Sequence, residues 1–301
     1  MVSLHPEQSY ITINGVDHYY EWVGTPHSPE SSKPVMVFVH GWGGSSRYWE
    51  STARSLGDRF HCLLYDMRGF GRSNRLPEGE DRSYELIEYA EDLAILLDTL
   101  NLDKIYLNAH SMGASVAAIF LNRYPERVER AILTCSGIFE YDEKSFNTFH
   151  KFSRYVVMFR PKWMAKLPLI HKFFMARFLH RSLPSPVSRA FLEDFLLADF
   201  GAAYGTVLTS VSKEATEWFP KEFKKLTVPT LLVAGEYDQI IPADMAKQAA
   251  TLNQNVQLEI LNNTAHFPML EDEKTYLQRV LEFLDRDLSA ADSKPPSDAI
   301  A

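Results

Sequence analysis

The stretch KIYLNAHSMGASVAAIFLNRY, residues 104–124, decides the fold. Its first seven residues read as a buried strand, and from Ser111 onward Ala, Val, Ile and Leu at close spacing read as a helix. Ser111 stands at the junction, with Ala109 two positions before it and Gly113 two after. Small flanking residues let the chain turn sharply enough to hold the serine hydroxyl out at the end of the strand. The next N–H, that of Met112, would then lie at the helix N-terminus, where the helix dipole favours an oxyanion.

Working outward, the same strand-then-helix rhythm recurs. Residues 10–23 alternate around Asn14-Gly15 and predict a hairpin. Solid apolar runs follow at 35–40, 61–67, 130–135, 230–236 and 257–262. Runs without alternation suit the interior of a parallel sheet covered on both faces. Helical patterns lie between them over 83–100, 111–123, 242–252 and 269–285, with Ser83 expected to cap the first. The fold class is therefore α/β, a mostly parallel doubly wound sheet. The rhythm breaks over 138–212, too long for a plain loop, and this segment is expected to form an inserted helical cap. The division is then a first part of the core at 1–137, the cap at 138–212, a second part of the core at 213–288 and a disordered tail at 289–301.

Bulk properties exclude several classes. A net charge of −8 over 301 residues makes a nucleic-acid partner unexpected. Residues 1–10 lack the pattern of a signal peptide, and no apolar run reaches the length of a membrane span. Cys62 and Cys135 fall inside apolar strand runs, which points to two buried thiols, no metal site and a reducing cytoplasm.

A serine hydroxyl is too weakly acidic to attack at neutral pH without a base, and the base needs an orienting acid. The strand ending at Gly235-Glu236 is followed by Asp238, and the strand ending near Asn262 by His266. Ser111, Asp238 and His266 thus each follow their own strand, at the carboxyl ends where such sheets build sites. Glu236, Glu140 and Asp142 compete for the role of acid. The loop His40-Gly41-Trp42-Gly43-Gly44 allows close backbone approach, and the Trp42 N–H is the expected second oxyanion donor. His40, His110, Asp66 and Arg68 read as structural, and Cys135 as packing.

These pieces together resemble the α/β-hydrolase superfamily from about residue 10 to 287. The resemblance rests on HGWGG (40–44), YDMRGFGRS (65–73), AHSMGAS (109–115), GEYDQIIP (235–242) and NNTAHFPMLE (262–271). It departs at Ala109, where the usual elbow has glycine. The chain is similar to the esterase, lipase and C–C hydrolase branches, and a serine at 111 argues against the haloalkane dehalogenase and epoxide hydrolase branches. The resemblance implies no cofactor; the aromatic residues of the expected cap favour an ester substrate with a lipophilic part. C–C bond cleavage and low-turnover ligand binding remain alternatives.

The cap adds a less generic signal. From Lys144 to Arg189 there are ten Lys or Arg and no Asp or Glu, interleaved with aromatics from Phe146 to Phe178. One reading is a lid with aromatics turned inward over the site. The other is a surface that also touches an anionic membrane.

Overall fold

A computed structural model of the chain describes residues 8–28, 30–77, 83–139 and 141–286. The tail read over 289–301, residues 1–7 and the candidate acid Glu140 lie outside the described residues. Eight strands form one sheet: β1 Gln8–Ile13, β2 Val16–Val23, β3 Val35–Val39, β4 His61–Tyr65, β5 Ile105–His110, β6 Val128–Thr134, β7 Thr230–Gly235 and β8 Val256–Leu261. Their spatial order is β1-β2-β4-β3-β5-β6-β7-β8. The hairpin β1–β2 and the β2–β4 pair are antiparallel, and every pair from β4 to β8 is parallel. Asn14 and Gly15, both at positive φ, make the tight turn of the hairpin.

The helices are α1 Glu50–Leu56, α2 Leu86–Thr99, α3 Met112–Arg123, α4 Glu143–Met158, α5 Ile170–Met175, α6 Ser185–Leu197, α7 Phe200–Ser210, α8 Lys213–Lys225, α9 Ala243–Thr251, α10 Pro268–Glu271 and α11 Glu273–Leu284. Alternation along the strands divides the core. Val35, Val37 and Val39 of β3 join α2, α3, α8 and α9, whereas Met36 and Phe38 join α1 and α11. Fully buried strands with apolar residues on both faces are the consequence.

Two local expectations need correction, and one turn has no counterpart among them. The helix expected from Ser83 starts at Leu86, with Glu85 as its N-cap. Ser83 instead accepts the Glu85 N–H at 3.2 Å, a turn that precedes the helix. The helix expected over 269–285 is broken at Asp272, whose side chain caps α11 by accepting the Thr275 N–H. A 3-10 turn at Ser46–Trp49 leading into α1 was not anticipated, since its mixed polar and aromatic residues carry no helical stripe.

Helices α4 to α7 lie between β6 and α8. Ile138 is still tied to the core through the Met245 carbonyl. Phe219 and Phe223 of α8 return the chain to the main core beside α3. In the sheet, β3 sits between β4 and β5, so the chain leaves β3 toward one side and returns to pair on the other. The loops after β3 and β5 diverge there, at the strands' carboxyl ends, where sheets of this kind build their sites.

Candidate active site

Ser111 lies at that end of β5, at the head of α3, with φ +54° and ψ −122°. Its N–H donates to the Thr134 carbonyl at 2.8 Å, which pins the turn to β6. The geometry depends on Gly113, where a Cβ would lie 2.3 Å from the His40 carbonyl oxygen. Ala109, by contrast, is an ordinary buried residue of β5, in register with Val39 and Leu133.

His266, in the loop after β8, lies 3.1 Å from Ser111 Oγ through Nε2 and 2.8 Å from Asp238 Oδ2 through Nδ1. A carboxylate only accepts, so Nδ1–H donates to Asp238 and Nε2 is left to accept from the serine. Asp238, just past β7, also accepts the N–H groups of Ile240 and Ile241 at 2.8 and 3.0 Å. Burial alone would raise its carboxyl, but His266 and these N–H groups hold it below the usual carboxylate value. Glu236 is exposed and takes the Asn263 N–H, and Asp142 is exposed ahead of α4.

The loop after β3 comes close to the serine. A Cβ on Gly41 would fall 3.1 Å from Ser111 Cβ and 2.9 Å from His110 Nδ1. Trp42 follows, its indole donating to the Ala203 carbonyl of α7 at 2.8 Å. Met112 is the first residue of α3, where a backbone N–H has no intrahelical partner. Met112 thus directly follows the serine at the head of α3, and Trp42 follows Gly41 in the loop that approaches it.

The remaining polar residues build a frame. His40 donates from Nδ1 to the Gly41 carbonyl at 2.8 Å and accepts the Met67 N–H at Nε2 at 2.9 Å. Burial holds its ring below the ordinary histidine value. Asp66 accepts from Arg72 and from the Ser46 N–H. Arg68 pairs with Asp92. His110 is buried and kept neutral, first by burial and then by His266. Its Nε2 sits 2.7 Å from the His266 carbonyl, which only accepts, so Nε2 carries the proton. Nδ1 then accepts from the Tyr48 hydroxyl at 3.0 Å, and that hydroxyl in turn accepts the Gly41 N–H.

Two framing residues were not singled out from the sequence. Tyr48 carries no local signal. Glu271 ends the quoted stretch NNTAHFPMLE, and its burial was the missing clue. Its carboxylate accepts the N–H groups of Ala265, Phe267, His180 and Arg181 at 2.7–3.3 Å, joining the histidine loop to the α5–α6 connection. The Phe178 carbonyl of that connection accepts the His266 N–H at 2.9 Å. Aromatic rings close over the site: Phe178 and Phe267 lie 6.1 and 5.4 Å from the His266 ring, and Phe195 lies 5.7 Å from Trp42.

Among the described residues, the one cluster with metal-ligand types is His110, Cys135 and His266, within 4.8 Å of one another. Both ring nitrogens of each histidine already have protein partners, so the donor set is spent.

Comparison with known proteins agrees with this architecture. The family model described as alpha/beta hydrolase fold matches residues 34–273. The chain is 24% identical to an uncharacterized protein of Mycobacterium tuberculosis over 93% of its own length and 82% of that protein's. It is 24% identical to a proline iminopeptidase of Saccharolobus solfataricus, covering 94% of each chain. The crystal structure of a putative lipase from Acinetobacter baumannii superposes with a TM-score of 0.76 at 22% identity, covering 93% of this chain and 91% of that one.

Proposed function

The chain belongs to the alpha/beta hydrolase fold family, and from that premise we propose that it is a serine hydrolase cleaving carboxylic esters with a lipophilic part. The observation that carries this reading is the unbroken hydrogen-bond chain from Asp238 through His266 to Ser111. Ser111 attacks the ester carbonyl while His266 Nε2 takes its proton. The resulting imidazolium is oriented and stabilised by Asp238. The Trp42 and Met112 N–H groups hold the oxyanion, and His266 returns the proton to the leaving alcohol. Water, activated by the same histidine, then hydrolyses the acyl-enzyme. The aromatic lining from Phe178, Phe195 and Phe267 supports an apolar acyl group over a charged one. Unpaired Cys62 and Cys135 support a reducing, cytoplasmic setting.

Ser111→Ala should abolish labelling by a fluorophosphonate and lower kcat by roughly four to six orders of magnitude. A panel of 4-nitrophenyl esters of increasing acyl length should show a preference for the longer chains. Turnover surviving in folded Ser111→Ala would remove the serine mechanism. Faster cleavage of an aminoacyl anilide or a vinylogous diketone acid than of any ester would replace ester chemistry with peptidase or C–C hydrolase activity.

A further inference from the structure

We propose that the outer face of the cap, from Phe152 to Phe173, docks on an anionic lipid bilayer. This holds independently of the bond the active site cleaves. Among the described residues, thirteen large apolar side chains are exposed, and eight of them fall in this one segment. Chance scatter over the surface would not concentrate them so. Contiguous apolar patches on a soluble protein mark a place of contact.

The exposure is not a shortage of inward-facing residues. In α4, Phe146, Ser153 and Val157 are buried, while Phe152, Tyr155 and, just past its end, Phe159 recur at three- and four-residue steps on the opposite side. Beyond α4, Met164, Ile170 and Phe174 pack against Leu192, Phe195 and Leu196 of α6. Trp163, Leu169 and Phe173 point the other way, with Phe173 76% exposed and Phe159 71%. The cap has thus filled its inner side and carries a second apolar set outside.

Charge selects the occupant. Lys151, Arg154, Lys162, Lys166 and Lys172 are exposed among these aromatics, and none makes a salt bridge among the described residues. Arg160 behaves differently and turns inward to the carbonyls of Val157, Phe195 and Ala198. With ten cations and no acid over 144–189 in a chain of net charge −8, the rest carries −18. A second copy would face this surface with the same positive charge. An anionic bilayer offers negative headgroups and hydrocarbon within a few ångströms of each other, which matches lysines interleaved with Phe and Trp. The same negative surface repels the acidic core, so the molecule would sit cap-down. Each cation near the headgroups contributes about a fivefold gain in partitioning, screened beyond a Debye length.

The test uses the full chain and sedimentation with vesicles of phosphatidylcholine alone or mixed with phosphatidylglycerol, at low and physiological salt. Binding should require the anionic lipid, weaken with salt, and shift Trp163 emission to the blue, a shift lost in Trp163→Phe. K162Q/K166Q/K172Q should weaken binding at least tenfold at low salt. F159S/W163S/F173S should remove the salt-resistant remainder. Both variants should keep the wild-type melting temperature, their side chains being exposed. Failure of the wild type to bind anionic vesicles at low salt would overturn the proposal, as would binding untouched by both variants. Concentration-dependent dimerisation without lipid, abolished by the aromatic variant, would assign the face to a second copy instead.

Discussion

Ser111 holds a left-handed backbone conformation that costs a non-glycine residue on the order of 1–3 kcal/mol, so the surroundings must over-determine it. The strain sits on the serine itself and the close approach on Gly113, which leaves residue 109 in regular strand geometry. That is why the departure of Ala109 from the usual elbow is accommodated: residue 109 keeps regular strand pairing, and its methyl group is buried in the core cluster. The relay from Gly41 through Tyr48 and His110 to the His266 carbonyl ties the loop after β3 to the loop after β8. Tyr48→Phe removes its central hydroxyl and strands a buried N–H and a buried ring nitrogen, a cost of about 1–3 kcal/mol in stability. If the relay positions the two loops, kcat for a short soluble ester should fall about tenfold with KM nearly unchanged, because the lost alignment matters in the transition state. A loss of stability with unaltered kcat would reduce Tyr48 to packing.

At the scale of elements, α6 ties the α4–α7 segment to the loop after β3. Asp194 of α6 accepts from Ser45 Oγ at 2.6 Å and pairs with Arg47. Arg47 also donates to the Ala190 carbonyl at 3.1 Å. Burial pushes the Asp194 carboxyl up to about 6, and Arg47 only partly offsets that. Asp194→Ala leaves the guanidinium and the serine facing an empty site. Removing one partner of a fully buried pair costs about 3–5 kcal/mol. The Arg47 side chain is about a third exposed, which reduces the expected loss to roughly 2 kcal/mol. Limited proteolysis should then cut first within the α4–α7 region; unchanged protection would mean that apolar packing alone seats α6. The sequence made the central strands legible because residues buried on both faces leave an unbroken apolar run. Helix ends were harder to read, since Ser83 and Asp272 can each cap, turn or break a chain, and only tertiary packing decides which.

At the scale of the whole molecule, the strand ends could be read because each candidate residue follows its own strand, and the sheet brings those ends to one edge. The supporting shell could not: Tyr48 and Glu271 act through contacts made across 62 and 91 positions of chain, and no local pattern records them. That shell also sets the response to acid. His18, His40 and His110 are buried and neutral, their ring values lowered first by burial, His18 from 6.5 to about 4. The unfolded chain binds protons at these rings as pH falls through 6.5, whereas the folded chain binds them only at lower pH. The unfolded state therefore gains protons first, and stability is lost progressively below about pH 6.5. Asp194 works in the opposite direction, since its raised carboxyl takes a proton in the folded state near 6, before the unfolded carboxyl does near 3.8. Burial raises the Glu21 carboxyl in the same sense; three histidines outweigh these two acids, so the urea midpoint should fall between pH 7 and pH 5. His18→Gln, which removes one titrating ring, should flatten part of that slope even if it lowers stability at pH 7. A midpoint that is constant or rises over this range would mean that the buried rings are protonated in the native state.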